Sequence, residues 1–170
     1  MSDALQPLAE KLRPKNFDEI IGHDRILSKT GSLKRIIKKK RLSSFILWGP
    51  AGCGKTTIAK TVSKQFCTED FELSAVLSGV KDLRIIFEKA KKNFSEGCQT
   101  ILFIDEIHRF NKAQQDSFLP HIEKGLIILI GATTENPSFS IISPLLSRCQ
   151  VIKLEKLCKT DLNLIKLKAE

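Results

Sequence analysis

The feature that most constrains this 170-residue chain is one short run, Gly49-Pro50-Ala51-Gly52-Cys53-Gly54-Lys55-Thr56. It fits the pattern G-x-x-x-x-G-K-[ST], and its setting matters as much as the pattern. Phe45-Ile46-Leu47-Trp48 before it reads as a buried strand, and residues 55–66 after it read as a helix. Glycines in a strand-to-helix turn let successive backbone N–H groups point at one anion, and the helix N-terminus adds its dipole. Gly49 through Thr57 therefore form a candidate phosphate cradle. In it Lys55 reaches the β- and γ-phosphates of a nucleotide, and the Thr56 hydroxyl is placed to bind Mg2+. Cys53 fills space inside the loop, and a thiol there would make nucleotide binding sensitive to alkylation.

A second run supplies the acids that such a loop needs. Ile101-Leu102-Phe103-Ile104-Asp105-Glu106 is an apolar strand ending in two carboxylates. Asp105 would hold Mg2+ directly or through water, and Glu106 would orient and polarise an attacking water. Two further positions each admit two readings. Thr133 and Thr134 follow the apolar run Leu126 to Ile130 through Gly131 and Ala132. They are either ordinary turn threonines or hydroxyls that touch the γ-phosphate or the water. Arg148, in Ser147-Arg148-Cys149, is either a surface cation or a finger that neutralises charge on a γ-phosphate.

Around these motifs, short apolar runs alternate with helical patterns, which predicts an α/β fold with a parallel sheet. Strands are expected at 45–48, 71–75, 100–104, 126–130 and 150–154. Leu83, Phe87, Ala90 and Phe94 form the apolar stripe of a helix. Asn111 and Gln114 have the spacing of an N-cap, and Pro120 should kink or end the helix that they open. Ser138 to Leu146 reads as one helix. Thr160 reads as the cap of a last helix running to Glu170, where the chain stops.

With 42% hydrophobic and 28% charged residues, the composition is globular rather than disordered. The run Leu126–Ile130 is far short of the roughly 20 residues that span a bilayer, so no membrane role is expected. Residues 1–20 carry Asp3, Glu10, Asp18 and Glu19 and no apolar core segment, which argues against a secretory signal. Cysteines 53, 67, 98, 149 and 158 form no CxxC pair, and His23, His108 and His121 complete no zinc spacing. A cytoplasmic protein without structural zinc is the expectation. The net charge of +9 suits a polyanionic partner, but 21 of the 28 cationic residues are Lys, which equally cover an ordinary solvated surface. The run Lys34-Arg35-Ile36-Ile37-Lys38-Lys39-Lys40-Arg41 sharpens that choice. On a helix, Lys34, Lys38 and Arg41 share one face, and Leu33, Ile36 and Ile37 share the other. The basic face is either simply solvated or a salt-sensitive, sequence-independent phosphate contact. With no Tyr and a single Trp beside the glycine loop, base stacking has few platforms.

Three stretches carry a family likeness. Arg13-Pro14 with Phe17-Asp18-Glu19-Ile20-Ile21-Gly22-His23 resembles the N-terminal segment of clamp-loader-type AAA+ ATPases. Asp105-Glu-Ile-His108-Arg-Phe110-Asn-Lys112-Ala-Gln-Gln115-Asp116 and Gly131-Ala-Thr-Thr-Glu-Asn-Pro137-Ser-Phe139 are more particular. They resemble the replication-associated recombination protein A family (RarA, also MgsA), whose eukaryotic relatives are the Werner helicase-interacting ATPases. The likeness runs over residues 5–158. It implies a P-loop NTPase with the AAA+ αβα sandwich and a five-stranded parallel sheet. It implies ATP and Mg2+ as cofactors, single-stranded or forked DNA held without sequence preference, and work in DNA replication, recombination and repair at stalled forks. It also implies a sensor-1 role for Thr134, a trans-acting finger in Arg148, and Ile20, Ile21 and Gly22 beside the adenine. Ser74, closing the second strand, would gate Glu106.

The implied organisation is an N-terminal segment over 1–40, the nucleotide-binding αβα subdomain over 41–158 and the start of a helical lid over 159–170. Family members continue into a lid with a sensor-2 arginine and a C-terminal oligomerisation domain. A chain ending inside the first lid helix is expected to bind ATP less tightly, to hydrolyse it slowly, and to form the family's homo-oligomer less readily. Three functions follow: an ATPase that remodels or monitors stalled forks; a DEAH-type helicase, because Asp105-Glu106-Ile107-His108 mimics that box; and a remnant that binds nucleotide or a partner without turnover. The helicase is disfavoured by the single P-loop domain.

Overall fold

The computed structural model describes residues 12–38, 42–66 and 69–168. In chain order, helices α1 (Asp24–Leu27) and α2 (Ser32–Lys38) precede strand β1 (Phe45–Trp48). Helix α3 (Lys55–Gln65) leads to β2 (Glu69–Ser74), and α4 (Val80–Ser95) leads to β3 (Thr100–Asp105). Two short helices, α5 (Lys112–Asp116) and α6 (Leu119–Glu123), precede β4 (Ile127–Thr133). Two more, α7 (Pro137–Ser140) and α8 (Ser143–Leu146), precede β5 (Gln150–Lys153), and α9 (Lys159–Leu167) comes last. The five strands are all parallel, in the order β2-β3-β4-β1-β5. The α/β class and the five-stranded parallel sheet agree with the sequence.

The strands form because their side chains are needed on both faces. Phe45, Leu47, Ile101, Phe103, Ile128 and Ile130 pack on one side with Ile58 and Val62 of α3 and Leu33 and Ile36 of α2. Ile46, Leu102, Ile104, Ile127 and Leu129 pack on the other with Leu83, Ile86, Phe87 and Ala90 of α4 and with Phe118. Alternate residues of each strand thus feed two cores, which is how a parallel sheet covered on both faces reads as continuous apolar sequence. The register aligns the C-terminal ends that matter: Trp48 lies beside Thr133, Ile104 beside Gly131, and Ser74 beside Asp105. Ligands of open α/β sheets sit outside such strand ends. Among the described residues no helix is long and apolar enough to cross a membrane.

Several local expectations hold. Asn111 Oδ1 accepts the Gln114 N–H at 2.8 Å while Gln114 Oε1 accepts the Asn111 N–H at 2.9 Å, a reciprocal cap at the start of α5. The helix that they open differs from expectation in ending at Asp116, short of Pro120, which falls in the first turn of α6, where its missing N–H costs no helical bond. Leu33 and Ile36 of α2 are buried, so the apolar face of the basic segment is real, and Lys34 pairs with Asp18 at 3.6 Å. Lys39, Lys40, Arg41 and the side chain of Lys38 lie outside the described residues, as does Glu170.

Others are corrected. The second strand starts earlier, at Glu69, and ends at Ser74. Strand β4 does not stop at Ile130 but runs through Gly131, Ala132 and Thr133. Gly131 suits the tight packing there, because a Cβ would lie 3.1 Å from Ile107 Cδ1. The helix expected over Ser138–Leu146 is two separate turns, α7 and α8. Pro144 cannot donate into a continuing helix, and the Ile142 N–H goes instead to Gln115 Oε1 at 2.9 Å. Helix α9 is capped by Cys158 rather than Thr160, with the Cys158 N–H donating to Asp161 Oδ2 at 2.9 Å. Phe94, the last residue of the predicted α4 stripe, is exposed.

Candidate functional site

Strand β1 hands the chain to Gly49, whose N–H donates to the Thr133 carbonyl at 3.1 Å. A Cβ at Gly49 would lie 2.7 Å from the Leu154 carbonyl oxygen and 2.9 Å from Cys53 Sγ, so the chain needs glycine to leave the sheet here. Gly52 and Gly54 hold φ of +72° and +93°, the left-handed region that favours glycine. Beyond both lies open space, since an added Cβ meets nothing within 4 Å. Helix α3 begins at Lys55, and its first internal bond comes from the Ile58 N–H to the Gly54 carbonyl at 2.9 Å. The N–H groups of Lys55, Thr56 and Thr57 therefore have no helical acceptor, as at any helix start. The loop is an open, N–H-rich concavity at the head of an eleven-residue helix.

Lys55 is only 7% exposed, and its ammonium is held by the loop itself. Nζ donates to the Gly49 and Pro50 carbonyls, each at 2.8 Å. A buried ammonium needs such acceptors, because an unpaired one costs several kcal/mol. Cys53 Sγ lies 4.0 Å from the same Nζ. Burial pushes the Cys53 thiol above its ordinary value, with the nearby Lys55 charge pulling it back. His23 Nε2 donates to the Cys53 carbonyl at 2.7 Å, which ties the N-terminal segment to the loop.

That segment walls a pocket of about 400 Å³ at the end of the loop. Ile20, Ile21, Thr57 and Ile58 line it, with Cys53 and Gly54 at its rim. Ile20 and Ile21 thus share one pocket wall with the start of α3. Leu157 and Ile165, the latter from α9, complete the wall. Sequence reasoning missed these two, because nothing in a terminal amphipathic helix says where it will dock. The helix is held back onto the segment by Lys168 Nζ, which donates to the Glu19 carbonyl at 3.2 Å. Gly22, at φ +79°, passes so close to Leu157 that a Cβ would lie 2.7 Å from its Cδ2.

The acid motif sits at the C-terminal end of β3. Asp105 is the last strand residue, and its Oδ1 accepts the Glu106 N–H at 3.1 Å. Glu106 itself has φ +53° and ψ +44°. For a residue with a Cβ this left-handed conformation costs on the order of 1 kcal/mol, and surrounding contacts must maintain it. Its Oε2 lies 3.4 Å from Thr134 Oγ1 and 3.3 Å from His108 Nδ1. The structure therefore brings Glu106 and Thr134 together from sites 28 residues apart. In the sequence His108 belonged to a helicase-like tetrad and to a stretch with family likeness, with no role of its own toward Glu106. A short turn over Ile107–Arg109 folds its ring back beneath Glu106. Ser74 stands beside Asp105 in the β2–β3 register.

Arg148 is not brought to this group. It lies two residues before β5, at the N-terminal rim of the sheet, with the length of that strand between it and the glycine loop. Its guanidinium pairs with Glu123 and donates to the Pro144 carbonyl at 2.7 Å.

The model of the ATPase family associated with various cellular activities (AAA) matches residues 45–156. Replication-associated recombination protein A of Escherichia coli K12 is 49% identical over 160 residues, 94% of this chain and 36% of that protein. ATPase WRNIP1 of Dictyostelium discoideum is 52% identical over 156 residues, 92% of this chain and 18% of that protein. Among solved structures, RuvB of Thermotoga maritima, a Holliday junction branch migration motor, superposes with a TM-score of 0.72 at 32% identity. That superposition covers 92% of this chain and 53% of the RuvB chain. The chain spans about a third or less of the length of these curated relatives. The matched stretch opens at the first residue of β1, takes in the glycine loop and the acid motif, and closes just beyond β5; the chain belongs to the AAA family of ATPases.

Proposed function

We propose that this chain binds ATP with Mg2+ and hydrolyses it, slowly when alone, as the nucleotide-binding core of a protein that acts on DNA at stalled replication forks. The observation that carries this reading is the meeting, at one rim of the sheet, of the Lys55 loop and the Glu106–Thr134 pair. In this reading the adenine lies in the pocket walled by Ile20 and Ile21. The phosphates rest on Gly49, Pro50, Ala51, Gly52, Cys53, Gly54 and the first turn of α3, Thr57 included. Lys55 exchanges its two loop carbonyls for phosphate oxygens, an exchange of neutral acceptors for charged ones that strengthens both bonds.

The donor set for a divalent cation is hard oxygen, Thr56 and Asp105. Among the described residues no three His, Cys, Asp or Glu side chains converge into a cage. Mg2+ would therefore take its remaining ligands from phosphate and water, its usual manner in nucleotide sites. Bound there, the ion neutralises phosphate charge. Glu106 orients the attacking water and Thr134 senses the γ-phosphate, while Arg148 serves the nucleotide of a neighbouring copy in a homo-oligomer.

The DNA part of the proposal draws on the net charge of +9 and on relatives named for replication-associated recombination. Single-stranded or forked DNA, gripped through its phosphates without sequence preference, is the proposed partner, in a cytoplasmic setting. The proposed division is a leading segment over 1–40, the nucleotide-binding subdomain over 41–158 and the first part of a helical lid over 159–170.

A second reading, binding without turnover, is favoured by one observation: Arg148 is paired with Glu123 and distant from the loop of its own chain. ATP binding and hydrolysis measured with and without forked DNA decide between them. Hydrolysis raised by forked DNA supports the first reading, and binding without hydrolysis in either condition supports the second. Strand unwinding would overturn both in favour of a helicase.

A further inference from the structure

We propose that His108 is a positioning residue for Glu106, a hydrogen-bonded link that fixes the Glu106 carboxylate to the end of β4. The proposal deepens the hydrolysis reading and rests on it. The His108 side chain is 4% exposed, so each polar contact it makes is made within the protein. Nδ1 lies 2.9 Å from Thr133 Oγ1 and 3.3 Å from Glu106 Oε2, and Nε2 lies 3.6 Å from Glu135 Oε1.

Counting protons assigns the direction of these bonds. The Thr133 hydroxyl has one proton to give. It already accepts the Glu135 N–H at 3.0 Å and faces the Glu135 carbonyl oxygen, a pure acceptor, at 3.3 Å. With that proton given to the carbonyl, Oγ1 meets His108 as an acceptor and Nδ1 carries a hydrogen. The opposite arrangement would aim the bare Nδ1 lone pair at the Glu106 carboxylate 3.3 Å away. The Nδ1–H is therefore shared between Thr133 Oγ1 and Glu106 Oε2.

The Thr134 hydroxyl reaches the same Oε2 at 3.4 Å. Both grips fall on one carboxylate oxygen, which leaves Oε1 to take a water. The backbone explains why grips are needed. Glu106 stands at φ +53° on a tight turn, where no regular ladder holds it. His108 joins that turn to Thr133, the strand residue beside Trp48, which in turn precedes the glycine loop. The acid is thus indexed to the strand that carries the loop, and a small misplacement of a catalytic group costs up to about 100-fold in rate.

Imidazole nitrogen-15 spectra of the full 170-residue chain test the link, because only three histidines are present. The His108 signals are assigned by their loss in His108→Asn. The expected result is a protonated Nδ1 whose shift changes in Glu106→Gln and stays in place in Lys55→Ala. An unprotonated Nδ1, or shifts indifferent to Glu106→Gln, overturns the proposal. Kinetics supply the second readout: His108→Ala should lower kcat about 10- to 100-fold with the Kd for ATP within about twofold. His108→Asn, whose Nδ2–H can stand in for Nδ1–H, should recover most of the loss. Unchanged kcat in His108→Ala, equal damage in both variants, or a matching loss of ATP affinity each overturns it. Should His108→Ala fail to fold, the wild-type spectra and His108→Asn still decide. A wild-type chain that hydrolyses no ATP sinks the hydrolysis reading, while the spectra judge the His108–Glu106 link independently.

Discussion

The two rims of the sheet hold their charges in opposite ways. At the C-terminal rim, Lys55 is buried against two loop carbonyls, and Glu106 is held on a left-handed turn by Thr134 and His108. None of these partners neutralises the Lys55 charge, so the rim presents a cation poised for an anion. At the N-terminal rim, Arg148 is exposed and already paired with the carboxylate of Glu123. The difference separates groups prepared for a ligand in their own chain from a group satisfied where it stands. The carbonyls around Lys55 are neutral and exchangeable, whereas the Arg148 pair has to be broken before the guanidinium can do anything else.

The largest expected effect tests the first rim directly. Replacing Lys55 by Ala removes two charge-assisted bonds from the phosphates, each worth about 1.5–3 kcal/mol. ATP affinity, read by titration calorimetry or a fluorescent analogue, should fall at least about 100-fold. Affinity within about threefold of wild type would mean that the loop does not bind the phosphates. Glu106→Gln comes next. It keeps the shape and removes the base, so kcat should drop about 100-fold or more while ATP binding persists. A parallel loss of binding would place Glu106 in the cradle and blur the division of labour within this rim.

How much of each rim was legible in the sequence follows from the same contrast. The glycine loop was readable because everything it needs lies within eight consecutive residues and is written in backbone preference, at Gly49, Gly52 and Gly54. The strands were readable because β1 and β3 are buried on both faces. Family likeness singled out Thr134, but neither its contact with Glu106 nor the His108–Thr133 bond was legible, because they join residues 28 and 25 apart. Ser138–Leu146 was misread for a related reason. Its helical pattern is real, but Gln115 from α5 supplies the acceptor that a continuous helix would have supplied. Leu157 and Ile165 found the pocket through tertiary docking, which periodicity does not encode.

A smaller effect tests how tightly the second rim is sealed. Burial pushes the thiol of Cys149, next to Arg148, up to about 12 from an ordinary 9.0. The unfolded chain ionises this thiol above pH 9 while the folded chain keeps it protonated, so the native state binds the extra proton. Stability then falls as pH rises, by up to about 1.4 kcal/mol per unit between the two values, and the contribution is fully present below pH 9. Lysines titrate in the same window, so the informative quantity is the stability difference between wild type and Cys149→Ala. That difference should shrink from pH 8 to pH 10.5 in denaturant titrations. At pH 8, iodoacetamide should label the exposed Cys98 and Cys158 well before Cys149. A constant difference, or early labelling of Cys149, would show an open rim.

The smallest expected effect is the sharpest test of the comparison. Arg148→Ala removes an exposed ion pair, and such pairs contribute about 0–1 kcal/mol, so the fold should barely notice. Four residues of β5, about 13 Å at strand rise, separate Arg148 from the rim that carries the loop. In dilute solution, ATP affinity and basal hydrolysis should therefore stay within about twofold of wild type. A tenfold loss under those conditions would mean that the two rims communicate inside one chain. At concentrations where copies assemble the expectation changes, because a head-to-tail contact would set the N-terminal rim of one copy against the C-terminal rim of the next. Mixing Arg148→Ala with Lys55→Ala then pairs an intact loop with an intact arginine across one interface. A rise in hydrolysis on assembly that mixing restores, and that neither variant shows alone, would assign Arg148 to its neighbour's nucleotide; no restoration would leave it a surface cation held by Glu123.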